Sequence, residues 1–198
     1  ITGTGNDTFT LAGGTLTGAI DGSTGTDTLT ADNLENIFTF TGADSGTITG
    51  IGTGFSNIEN FIGGTSSDRF LLAGGTVSGS IDGNIGTDFF TADNVASEFV
   101  ITGLDSGTVT GIGTRFRNIE NLTGGTADDT FTLAGGTLTG AIDGSTGTDT
   151  FTADNVENIF TFTGIDSGTI TGIGTGFSNI ENFVGGTVSD RFLLAGGT

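Results

Sequence analysis

The stretch DTFTLAGGT at residues 7–15 returns as DRFLLAGGT at 68–76, DTFTLAGGT at 129–137 and DRFLLAGGT at 190–198. The aspartates that open the four copies, Asp7, Asp68, Asp129 and Asp190, stand 61 residues apart. Residues 2–62, 63–123 and 124–184 are three full repeats, and 185–198 begin a fourth. A fixed period of this size marks a stacked-repeat architecture, in which each unit buries its apolar face only against its neighbours. The first and third repeats differ at seven positions, among them Thr2/Gly124, Leu29/Phe151 and Ala43/Ile165. The second repeat differs more, and 185–198 copy its opening except at Ser66/Val188. Two repeat types therefore alternate with a period of 122 residues. The chain does not begin with Met and both ends fall inside the pattern, so it reads as a slice of a longer mature protein.

Within a repeat the apolar residues follow period two. TFTL sets Phe9 and Leu11 on one face and Thr8 and Thr10 on the other. IFTFT does the same with Phe38 and Phe40, and TITGI with Ile48. Alternation over four to six residues indicates half-buried strands. Thr, Ile, Phe and Val suit strands, while ADNLENIF is the only helix-like run and a poor one. Glycine-rich turns separate the strands. The 61 residues divide into pieces such as 124–142, 143–164 and 165–184, each expected to return to the same place. The expected fold is all-β: a parallel β-solenoid (β-helix) with about three coils of 19–22 residues per 61-residue repeat, continuous over 1–198. Phe9, Phe70, Phe131 and Phe192 are expected in one column, and Phe55, Phe116 and Phe177 in another. The absence of proline agrees with strands paired on both sides. An up-and-down antiparallel sheet is the competing reading, and it would favour Asn-Gly hairpin turns, which are missing.

Composition narrows the function. The net charge is −19, with Arg69, Arg115, Arg117 and Arg191 the only cations, so nucleic acid and anionic membranes are repelled. No apolar run reaches membrane-spanning length. There is no Cys, His, Lys, Tyr or Trp, which removes disulfides and most catalytic bases and nucleophiles. Every Asp recurs with the period, whereas an active site is a departure from it. The chain is not expected to be an enzyme.

The segment TGTGNDTFT (2–10) resembles the calcium-binding nonapeptide of RTX proteins, Gly-Gly-x-Gly-x-Asp-x-U-x with U a large apolar residue. GGTADDTFT (124–132) matches except at Ala127, and GGTSSDRFL (63–71) and GGTVSDRFL (185–193) match more weakly. The whole chain looks like the repeat regions of large bacterial surface proteins of the RTX and filamentous-haemagglutinin kind. That resemblance implies an extracellular or cell-surface location and Ca²⁺ held by turn aspartates: Asp7 with Asp27, Asp68 with Asp88, Asp129 with Asp149, and Asp190. Stacked Gly-rich turns with carboxylates could form an oxygen cage for such a hard cation. The residues themselves leave a second reading open, in which these aspartates cap backbone N–H groups. The third expected coil carries only the DSG of Asp44, Asp105 and Asp166, which interrupts a calcium ladder. Asn60, Asn121 and Asn182 are expected to stabilise turns locally.

Two functions follow as expectations. One is a structural segment of an extracellular fibre, stalk or matrix component, with other copies of itself as head-to-tail or lateral partners. The other is an adhesin module that recognises a glycan or a surface, ice being a minor case of it, through an outward face. Arg115 and Arg117 occur only in the second repeat, where the others carry Gly54/Ser56 and Gly176/Ser178.

Overall fold

The computed structural model describes residues 2–196, so Ile1, Gly197 and Thr198, the last two from the partial fourth repeat, lie outside it. The described chain is all-β, with 23 strands and no helix. The strands form one sheet of 13 and one of 10, both mostly parallel, here called sheets 1 and 2. Between them lies a single apolar cluster that runs from Ile20 to Ile180.

The chain passes from one sheet to the other and back. Strands Thr8–Thr10 and Thr28–Thr30 pair in sheet 2, Phe9 beside Leu29. Between them Ala19–Thr24 runs in sheet 1. The third pass in sheet 1 is not one strand but three, Ile37–Gly42, Ser45–Ile48 and Gly54–Ser56, paired antiparallel. This insertion enters sheet 1 reversed: its last strand pairs with Ala19–Thr24 and its first with Arg69–Leu72. Meanwhile sheet 2 advances by the single step from Leu29 to Phe61.

Each 61-residue repeat thus makes five passes, an odd number, and the next repeat starts on the opposite sheet. The expected phenylalanine columns are therefore corrected. Phe9 and Phe131 lie in sheet 2, whereas Phe70 and Phe192 lie in sheet 1, and Phe55 and Phe177 are likewise separated from Phe116. The second repeat builds its three-stranded insertion, Glu98–Gly103, Ser106–Val109 and Arg115–Arg117, in sheet 2. The third returns it to sheet 1. Coil lengths are not uniform either. Paired core residues are 20 apart at Phe9/Leu29, 32 apart at Leu29/Phe61 and 35 apart at Ile20/Phe55.

The alternation balances the two sheets. In sheet 1 the strands that hold Ile20 and Ile142, 122 residues apart, are seven steps apart. In sheet 2 those that hold Phe9 and Phe131 are also seven steps apart. Without the exchange, one sheet would gain an extra strand, about 4.8 Å, in every repeat.

Phenylalanines fill the interior. Phe61 from sheet 2 packs against Phe38, Phe40 and Phe55 of the sheet 1 insertion, at ring separations of 5.8, 4.8 and 4.9 Å. Phe183 meets Phe160, Phe162 and Phe177 in the same way two repeats later. Like rings also stack along a sheet, as Phe38 on Phe70 at 4.7 Å and Phe99 on Phe131 at 4.5 Å. Truncation of one such ring to alanine costs about 3–5 kcal/mol.

The antiparallel turns use no Asn-Gly pair. GADSG places Asp44 at φ 49° and GLDSG places Asp105 at φ 48°, because a short polar side chain tolerates the left-handed region. At the middle strand, a Cβ on Gly46, Gly107 or Gly168 would strike the carbonyl oxygen of Thr39, Val100 or Thr161. Gly107→Ala is expected to destabilise the chain by at least about 2 kcal/mol through that collision. Gly14→Ala, where a methyl group meets open space, is expected to change it by less than about 0.5 kcal/mol. Chemical denaturation of the two variants followed by circular dichroism checks the contrast.

Candidate functional site

The seven singled-out aspartates stand at strand entries, two residues before an inward apolar residue, as Asp7 before Phe9 and Asp88 before Phe90. The structure brings the expected pairs onto neighbouring strands and joins them through the backbone. The Asp7 N–H donates to Asp27 Oδ1 at 2.7 Å, Asp68 N–H to Asp88 Oδ1 at 2.6 Å and Asp129 N–H to Asp149 Oδ1 at 2.7 Å. Each ladder continues to a glutamate: Asp27 N–H donates to Glu59, Asp88 N–H to Glu120 and Asp149 N–H to Glu181, all at 2.6–2.7 Å. It also extends backwards. The Asn36, Ser97 and Asn158 N–H groups donate to Asp68, Asp129 and Asp190.

These acceptors do the work of a missing strand partner. A parallel ladder of strands stops at each corner, where the next N–H would be left buried and unpaired, at a cost of about 1–3 kcal/mol. A carboxylate from the neighbouring strand takes that proton and makes a charge-assisted bond. Glu59, Glu120 and Glu181 were not singled out from the sequence. Their signal was present, since each also stands two residues before an inward residue, Phe61, Leu122 or Phe183.

The other acidic residues cap as well. Asp21, Asp82 and Asp143 accept from the N–H two residues on and from the amides of Asn57, Asn118 and Asn179. The Asn57 amide holds the Asp21 carboxyl below its ordinary value. Asp44 and Asp105 accept the N–H of Ser78 and Thr139 across to another pass of the chain. Asn60 and Asn121 also reach further than a local turn: their Oδ1 atoms accept from the N–H of Ser80 and Ala141 on the next strand.

The carboxylates differ in how fully they are used. The second oxygens of Asp68 and Asp129 accept from Gly64 N–H and Gly125 N–H at 2.6 Å. The second oxygens of Asp27, Asp88 and Asp149 are buried without a hydrogen-bond partner, although all three residues are 0% exposed. They face Gly22, Gly83 and Gly144, where a Cβ would collide with the carbonyl of Asn57, Asn118 or Asn179. Burial pushes the Asp88 carboxyl up to about 7, aided by the nearby Glu120, Asp68 and Asp82 carboxylates and opposed by the Asp68 N–H bond. Burial pushes Asp149 up to about 6, with Asp129, Glu181 and Asp128 adding to the effect. Asp68 and Asp129 are raised for the same first reason.

The same geometry bears on Ca²⁺. Among the described residues, no three carboxylates converge as a metal-binding group. The ladder aspartates point along the corner at backbone N–H groups, a donor set that fits capping and does not fit a closed oxygen cage. Removal of divalent cations with a chelator is therefore expected to leave the far-ultraviolet dichroism and the melting temperature unchanged.

Asp88 and Asp149 bind protons more tightly folded than unfolded, where their pKa is near 3.8. Their contribution to stability is present below about pH 4 and is lost as the pH rises through 6 to 7. The melting temperature is expected to fall between pH 5 and pH 8, and the double variant Asp88→Asn, Asp149→Asn is expected to flatten that slope in calorimetry. No protein-family model matches the chain, and no curated protein or solved structure is significantly similar to it.

Proposed function

We propose that this chain is a length of an extracellular, cell-surface β-solenoid of the RTX-like or filamentous-haemagglutinin-like kind, wound continuously through its repeats at two and a half turns each. Its work is reach and stiffness, as part of a fibre, stalk or matrix. The observation that carries this reading is the equal climb of the two sheets, seven strand steps each over 122 residues. A rod whose two faces lengthen at the same rate stays straight over any number of repeats. A chain selected for one binding cleft has no need of that balance.

Other features support the reading. The repeats are near copies, and their acidic groups are spent on holding one strand to the next. At the far described end, strands Asn182–Val184 and Arg191–Leu194 present an open edge on each sheet, with Phe192 51% and Leu194 84% exposed. Further repeats, or another copy of the chain stacked head to tail, would continue both ladders and cover those side chains.

Arrays of two, four and eight 122-residue units test the proposal by electron microscopy. Rods of constant width that lengthen by about 34 Å per unit are expected. Compact particles, or a length that does not scale with the number of units, would overturn it.

A further inference from the structure

We propose that Arg115 and Arg117 form a binding site for a sugar-borne oxyanion, the carboxylate or sulfate ester of an acidic saccharide. This goes beyond the structural reading and does not depend on it.

The two arginines project from one face of the strand Arg115–Arg117, with the buried Phe116 between them pointing inward. Beside them, on the middle strand of the insertion, Ser106 lies opposite Arg117. With Thr102, Thr108 and Thr114 they line a recess of about 350 Å³, room for a sugar ring or two. Arg117 is anchored, its Nη2 2.8 Å from Asp82 Oδ2. Arg115 has no carboxylate partner among the described residues, in a chain with 23 acidic groups. An unpaired guanidinium next to an anchored one offers a planar set of donors matched to a carboxylate or sulfate. The hydroxyl groups around it suit the hydroxyls of a sugar.

The site is built rather than scattered. In the first and third repeats the position of Arg115 is held by Gly54 and Gly176, with φ 90° and 109°. A Cβ there would run into the carbonyl of Gly46 or Gly168. Arg115 is not among the residues with positive φ. Its strand instead makes two pairings with the middle strand, Ser106 with Arg117 and Gly107 with Phe116, where the other repeats make one. The backbone has thus been re-formed at the one insertion that carries the arginines. The other two arginines lack this setting: Arg69 lies over the Phe89 ring and 3.7 Å from Glu35, and Arg191 stands opposite Ile159.

The test is an amide NMR titration of the whole chain with glucuronate, glucose 6-sulfate, glucose and inorganic sulfate at 0.15 M salt, where the field of the acidic surface is screened beyond about 8 Å. One of the two anionic sugars is expected to bind saturably, and which one identifies the oxyanion. Shifts are expected at Gly107, Thr108 and Thr114, and none at the matching Thr47 and Thr169, which serve as controls in the same molecule. Arg115→Ser should weaken binding at least about tenfold, the loss of one charge-assisted contact. Arg117→Ser, which copies Ser56 and Ser178, should do the same, with the amide shifts of Thr47 and Thr169 unchanged as proof of folding. Absence of shifts, equal shifts at Thr47 and Thr169, or undiminished binding by both variants would overturn the proposal. Inorganic sulfate binding as tightly as either sugar would remove the saccharide from it.

Discussion

Two sheets that face each other across a thin core must climb at the same rate. Everything in this molecule answers to that constraint. A chain that simply shuttled between the sheets would meet it automatically. This one adds a three-stranded antiparallel insertion to one pass of every repeat, which lengthens one sheet alone. The imbalance is cancelled because the number of passes per repeat is odd, so the next insertion lands on the other side. The 122-residue alternation of repeat types is thus a geometric unit as well as a pattern of residues.

The corners are where such an arrangement is weakest. Parallel strands satisfy each other's backbone groups only while they run alongside, and each crossing between sheets leaves an N–H exposed to a dry interior. The repeating acceptor two residues before each inward side chain solves this, with Asp, Glu, Asn or Ser drawn from the neighbouring strand's corner. The solution has a price in charge, since acidic groups are brought close together along one line. Burial leaves Asp88 and Asp149 protonated near neutral pH. The strong acidity of the chain is in this sense largely internal hardware, and only part of it is an outward-facing surface.

The insertion also creates the one place where the repeats diverge in chemistry. A glycine pressed against a carbonyl in the first and third repeats becomes an arginine with ordinary backbone geometry in the second. The added ladder pair and the added cations arrive together, so the local fold and the local charge are coupled at Arg115.

Much was legible in the sequence. The 61-residue period, the strand character and the identity of the inward residues follow from residue spacing, because an inward apolar side chain every second position is a local property. Asp7, Asp68, Asp129 and their partners were legible as corner residues for the same reason. Which strands become neighbours was not. Phe9 and Phe70 occupy matching positions in the sequence yet lie on opposite sheets, since that depends on the parity of passes over 61 residues. The antiparallel insertion was hidden because its turns rest on aspartate in the left-handed region instead of Asn-Gly. The role of Glu59 was hidden because its partner, the N–H of Asp27, lies 32 residues away and meets it only when the chain has come around. Local alternation decides what a strand is; only the closed path of the backbone decides what lies beside it.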